Sequence, residues 1–320
     1  MTTFGDGVFQ YGGSPVGAVL GTSKIFSTPY KGRAWFVDAT KSTSGTGRTP
    51  KGAFTTMAQA FNVVQSGDII YFVGKIREQL VTPVQVFDVT IVGCGNRPRH
   101  ADAAPVGGDV GTATWAAPAS PTAGQALVRV LQQGWRFINI LFAGSAGCAS
   151  IELVRNAASG NDERDASHAE ILNCRFAGVA STDTGIKFGA TSYTEIVNNT
   201  LIEGNEFQGC ATAIGLHSAN LCYRARIKGN SFQSNTNHIV GGLYNCFVIG
   251  NDFGAWTTTS INLTGGTGSN LVTRNYLWGD YSTASNHYVS ASGDEWSGNF
   301  TSDEAETEVS GSLTIAVPAS

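Results

Sequence analysis

Asn173-Cys174-Arg175-Phe176, Gly204-Asn205-Glu206-Phe207, Gly229-Asn230-Ser231-Phe232, Gly250-Asn251-Asp252-Phe253, Arg274-Asn275-Tyr276-Leu277 and Gly298-Asn299-Phe300 are six versions of one phrase. Aligned on Cys174, Asn205, Asn230, Asn251, Asn275 and Asn299, the phrase returns every 21 to 31 residues. A period of about 24 residues marks a solenoid. Short apolar alternations precede each phrase: Ala169-Glu170-Ile171-Leu172, Leu201-Ile202, Ala225-Arg226-Ile227, Cys246-Phe247-Val248-Ile249 and Leu271-Val272. These are strand patterns of a few residues, and the Gly, Asn, Ser and Thr between them supply turns. Short strands at a fixed period with no helix between them predict an all-β, single-stranded parallel β-helix.

Coils of such a helix stack about 4.8 Å apart, so equivalent residues fall into columns. Phe176, Phe207, Phe232, Phe253 and Leu277 are expected in an internal column. The marker Asn is expected in a second column at a bend, with amides bonded above and below and the left-handed backbone that Asn tolerates. Between them, Arg175, Glu206, Ser231, Asp252 and Tyr276 point outward.

The chain has 320 residues, only 14% of them charged, and 40 glycines. A solenoid escapes the size limit of a single core because each coil touches only its neighbours. The net charge of −4 argues against a nucleic-acid partner, and no apolar run is long enough to span a bilayer. The start, Met1-Thr2-Thr3-Phe4-Gly5-Asp6, lacks the basic and apolar parts of a signal peptide. Six scattered cysteines read as small buried wall residues and not as a metal site.

Residues 1–32 read as an arm of lone aromatics and glycines that buries little by itself. It is either a strapped-down terminus or a docking arm carrying Phe4, Phe9, Tyr11 and Val16. Residues 33–300 form the β-helix, and residues 301–320 a tail ending in a terminal strand around Leu313, Ile315 and Val317. Thr56-Met57-Ala58-Gln59 has capping-box spacing. Met57, Ala60, Phe61 and Val64 share one helical face, so a short helix near 56–65 is expected to cover the open end, whose strand edges would otherwise aggregate. Strands are expected at Val84–Val86, Val89–Val92, Ala126–Leu131 and Phe137–Phe142. Arg97–Gly124 reads as a long loop, functional or merely projecting, and Ala157–Ser167 as a solvated charged loop.

Trp35-Phe36-Val37-Asp38-Ala39-Thr40, Pro50-Lys51-Gly52-Ala53-Phe54-Thr55-Thr56, Ser66-Gly67-Asp68-Ile69-Ile70-Tyr71 and Val89-Thr90-Ile91-Val92-Gly93-Cys94-Gly95-Asn96 resemble the entry coils of right-handed β-helix proteins of the pectate-lyase-like superfamily. With the arm from Phe4-Gly5-Asp6-Gly7-Val8 to Gly12-Gly13-Ser14-Pro15-Val16-Gly17, the chain resembles the tailed-phage virion members more narrowly. The resemblance implies a right-handed coil and a homotrimeric capsid decoration (cement) protein. Its arm would bind a major capsid protein or another virion protein, with no cofactor and no enzymatic activity. The alternative is a tailspike or fibre that binds or depolymerises a host surface polysaccharide.

No Asp-rich cluster stands on one face, so lyase chemistry is not carried over. For the alternative, Glu206 and Asp252 share the outward position two coils apart, about 10 Å along the axis. Inverting carboxylate pairs lie roughly 6.5–9.5 Å apart. Trp256 and Trp278 are candidates to stack on sugars. His217, His238, Asn262 and His287 recur 12 or 13 residues before a marker, which predicts a polar column and not a metal site.

Overall fold

The computed structural model describes residues 3–4, 8–11, 14–15, 32–95, 113–156, 164–178, 182–191, 193, 195–218, 221–278, 288–302 and 314–315. From Ala34 to Ser302 the chain winds as a right-handed parallel β-helix with three sheets. Sheet I has ten strands, from Ala34–Asp38 to Glu295–Ser297. Sheet II runs from Lys75–Arg77 to Phe300–Ser302, where Thr314–Ile315 adds an antiparallel strand. Sheet III has eight strands, from Leu80–Val81 to Tyr288–Val289. Each full coil visits sheet I, then II, then III. The sequence phrase straddles the bend between sheets I and II.

The aromatic column is where the sequence puts it. Phe142, Phe176, Phe207, Phe232 and Phe253 are fully buried. Their rings stack at 5.1, 4.6, 4.9 and 4.7 Å with interplanar angles of 5 to 8°. Trp115 extends the column below Phe142 at 6.0 Å, and Leu277 pairs with Phe253 above. Phe300 leaves the column, because it pairs with Tyr276 on the outward position and is 40% exposed.

The amide column is also present, and fully bonded. Main-chain N–H groups of Cys174, Asn205, Asn230, Asn251 and Asn275 each donate to the Oδ1 of the next marker at 2.8–3.0 Å. Each marker Nδ2 donates back to the sheet I carbonyl of the previous coil: Ile171, Ile202, Ile227, Val248 and Val272. This accounts for the burial of Asn205, Asn230, Asn251, Asn275 and Asn299 without orphaned polar groups. The left-handed residue is not the marker, as expected, but the one before it. Asn139, Asn173, Gly204, Gly229, Gly250, Arg274 and Gly298 all have φ between 51 and 68°. The marker's amide is thereby left to serve only the ladder.

The capping box forms: the Thr56 side chain accepts from Gln59 N, and the Gln59 side chain reaches the N-cap backbone. The Glu78 carboxylate accepts from Met57 N and Ala58 N at 2.8 and 2.9 Å. The helix, Met57–Phe61, buries Met57, Ala60 and Phe61, with Val64 beyond it, in the same core as the coils. Phe61 meets Trp115 and Trp135 edge-on, so the helix seats on the first rings of the stack.

Four local expectations change. Val84 is 40% exposed and lies in no strand; sheet III begins instead at Leu80–Val81, because coil pairing overrides local apolar pattern. The Phe137–Phe142 run is two strands, Arg136–Ile138 and Leu141–Ala143, split by left-handed Asn139. Within the expected 97–124 loop, Thr114–Ala116 is a sheet II strand carrying buried Trp115; residues 97–112 lie outside the described residues. The 157–167 segment is rooted in an antiparallel pair, Arg155–Asn156 with Arg164–Asp165, and its Asp165 is buried against Arg155 at 3.6 Å. The arm holds its own antiparallel sheet of Thr3–Phe4, Val8–Tyr11 and Ser14–Pro15. Among the described residues no helix is long and apolar enough to cross a membrane.

Candidate functional site

A second bend precedes the last seven sheet I strands, from Arg136–Ile138 to Glu295–Ser297. Gly134, His168, Asn199, Arg224, Asn245, Ser269 and Gly293 occupy it with φ between 50 and 82°. A left-handed residue at this bend turns its side chain out at the corner. The sheet I strand that follows presents Glu170, Leu201, Arg226 and Phe247 in one outward register. The two columns line a cleft of about 840 Å³ that runs along the helix axis over five coils. Its length, four interstrand steps, is roughly 19 Å.

The lining chemistry is mixed. Phe247 is 37% exposed and offers an aromatic face. Arg224 lies 4.9 Å over the Tyr223 ring, and Tyr223 packs against Tyr244 of the next coil at 4.8 Å. Glu170 is tied to Arg136 at 3.3 Å. Among the described residues, neither Arg224 nor Arg226 is in an ion pair, so the cleft carries two cations without a carboxylate partner. His168, Asn199 and Asn245 add polar side chains at the corner.

The sequence reading missed this cleft. Its corner residues stand six positions before each marker and follow no single residue type, so only the positional alignment, and not composition, could have drawn them together.

Glu206 and Asp252 stand in one outward column of sheet II with Ser231 between them. Glu206 faces Arg175 at 3.5 Å. Asp252 is exposed on the sheet, and partial burial by its surroundings raises its carboxyl pKa. Trp256 and Trp278 lie on strands of sheets III and II, their side chains outside the described residues. Phe4, Phe9 and Tyr11 lie on strands of the arm sheet, and Val16 is outside the described residues.

The histidine column does not form. Register on sheet III sets His238 level with Ala213 and Ser260, while His217 is exposed. His287 is outside the described residues. Differing turn lengths put equal sequence offsets at unequal places on the coil. His238 is fully buried, with Nδ1 3.1 Å from Asn235 Nδ2 and Nε2 3.1 Å from the Gly254 carbonyl. The amide donates to Nδ1, so the ring is the neutral Nε2–H tautomer, and burial lowers its pKa to about 4.

All six cysteines are buried and free, as the wall reading expects. Among the described residues no group of three or more His, Cys, Asp or Glu is placed to hold a metal ion.

No protein-family model matches the chain, and no curated protein matches its sequence. Solved structures do. A pectin methylesterase from carrot aligns with 11% identity and a TM-score of 0.48, covering 87% of this chain and 80% of its own. A pectate lyase aligns with 14% identity and a TM-score of 0.45, covering 92% and 80%. The pectin methylesterase of Aspergillus niger aligns with 14% identity and a TM-score of 0.43, covering 86% and 84%. The chain is thus similar to pectate-lyase-like parallel β-helix proteins, a likeness of fold. It also corrects one expectation. The sequence reading made the chain a non-enzyme, yet these structures are enzymes, so the coil gives no ground for a non-catalytic assignment.

Proposed function

We propose that the chain binds an extended, acidic polysaccharide along the axial cleft of sheet I. The observation that carries this reading is the continuous lining of corner residues from five coils and outward strand residues from four of them. A groove of that length suits a linear polymer better than a compact metabolite. Arg224 and Arg226 would meet carboxylate or sulfate groups, by charge-assisted hydrogen bonds. Phe247 would pack on a sugar ring, and Asn199, Asn245 and His168 would bond hydroxyls.

The test is calorimetric titration with acidic and neutral oligosaccharides of matched length. The acidic ligand binds and the neutral one binds at least tenfold more weakly. Arg226→Ala and Phe247→Ala each weaken binding by about tenfold, one to two kcal/mol, without changing the circular dichroism of the fold. Equal binding of both ligands, or variants that bind as the parent does, would overturn the reading. The same mixtures, assayed for new reducing or unsaturated ends, report whether binding leads to cleavage.

A virion setting is a second proposal, supported by the arm. Its three strands pair with one another and join none of the three helix sheets, an arrangement that suits an attachment element. In that setting a homotrimer would dock through Phe4, Phe9, Tyr11 and Val16 on a capsid or other virion protein. Deletion of residues 1–32 should abolish incorporation into particles; normal incorporation would sink the proposal.

A further inference from the structure

Cys222 and Cys246 lie directly behind the middle of the cleft. Cys222 is two residues before Arg224, and Cys246 stands between Asn245 and Phe247, all three of which line the cleft. The two cysteines belong to consecutive coils, and their sulfurs are 3.7 Å apart with no bond between them. Both side chains are buried, at 0% and 1% exposure. The coils are already in register here: Tyr223 pairs with Tyr244, and Arg226 with Phe247. That register sets Cys222 opposite Leu243 and Cys246 opposite Ala225, so the two sulfurs meet diagonally across the corner at Arg224, and closing their 3.7 Å separation to a bond length of about 2 Å brings the two side chains together across that corner. Of the other thiols, Cys94, Cys148, Cys174 and Cys210, none is in hydrogen-bond contact with another thiol.

We propose that Cys222 and Cys246 are an oxidisable pair that closes to a disulfide joining two coils behind the cleft. The oxidant is a low-molecular-weight disulfide such as oxidised glutathione. One protein thiolate attacks it, forms a mixed disulfide and releases one small thiol. The second protein thiolate attacks the mixed disulfide and releases the other. The two protein sulfurs lose two electrons to the reagent, and the two thiol protons end on the two small thiols released. Both thiols are buried, so the reaction is slow and runs through transient opening of the corner. Once formed, the bond encloses one full lap of chain and fixes the two coils that carry Arg224, Arg226, Asn245 and Phe247.

The test uses the whole chain and does not depend on what the cleft binds. After incubation with oxidised glutathione, the protein is alkylated in denaturant, digested and mapped by mass spectrometry. The expected product is a Cys222–Cys246 linked peptide, with loss of two hydrogens, reversed by a reductant and accompanied by a rise of several degrees in Tm. Cys222→Ser and Cys246→Ser should yield neither the link nor the Tm rise. The wild-type map stands alone if those variants fail to fold. Six alkylated thiols after prolonged exposure, stable mixed disulfides at either position, or links elsewhere would overturn the proposal.

Discussion

Asn230 bonds both of its neighbours in the ladder at once. Its Oδ1 accepts from Asn205 N and Nδ2, and its Nδ2 donates to the Ile202 carbonyl and to Asn251 Oδ1. Truncation to Ala leaves a buried N–H and a buried carbonyl without partners, each costing about 1–3 kcal/mol. Asn230→Ala should therefore lose about 2–6 kcal/mol in denaturant unfolding, and a loss below about 0.5 kcal/mol would refute the ladder's energetic role. The residue before it makes a different demand. Gly229 has φ +61°, and a Cβ there would meet nothing within 4 Å. Gly229→Ala should cost about 1–2 kcal/mol of backbone strain alone, and Gly229→Asn less.

His238 makes a pH prediction. Its pKa falls from 6.5 to about 4 in the folded chain, so between those values the unfolded chain binds the extra proton. Stability is thus complete above pH 6.5, falls as pH drops below it, and has lost about 3 kcal/mol once the folded pKa is passed. His238→Gln should flatten the difference between unfolding at pH 7 and pH 4.5; an unchanged slope would disprove the assignment.

At the scale of the element, the Phe column and the capping helix carry the load. Phe232 is stacked on both faces by Phe207 and Phe253 and is fully buried. Phe232→Ala should cost about 3–5 kcal/mol through lost transfer energy and a cavity that rigid neighbours cannot fill; urea or guanidinium unfolding measures it. The helix at Met57–Phe61 is too short to be stable alone, and its packing on Trp115 and Trp135 holds it. Thr56→Ala removes the acceptor for Gln59 N and should cost about 1 kcal/mol. Because each coil touches mainly its neighbours, that loss should appear as early opening of the first coils, seen by hydrogen exchange, before the later coils yield.

For the molecule as a whole, the coil and the cleft were unequally legible. The Asn-x-Phe phrase announced the coil because stacking forces one residue type into each inner column: an amide that bonds its own kind, and a ring that packs on its own kind. The left-handed position was assigned one residue late, since Gly and Asn both tolerate that backbone and stand side by side in the phrase. The His217 and His238 offsets misled because bends of unequal length carry equal spacings to different heights on the sheet. The cleft left little trace in composition, since its columns mix His, Asn, Arg, Ser, Glu, Leu and Phe.

What the sequence determined by itself was the lap of the backbone and the identity of the two inner columns, because inward positions answer to repeated, local packing and hydrogen-bond rules. Tertiary structure alone decided which outward residues meet. Outer columns obey no residue rule, and Arg224, Arg226, Asn245 and Phe247 share a groove only because pairing between coils sets the height at which each side chain emerges.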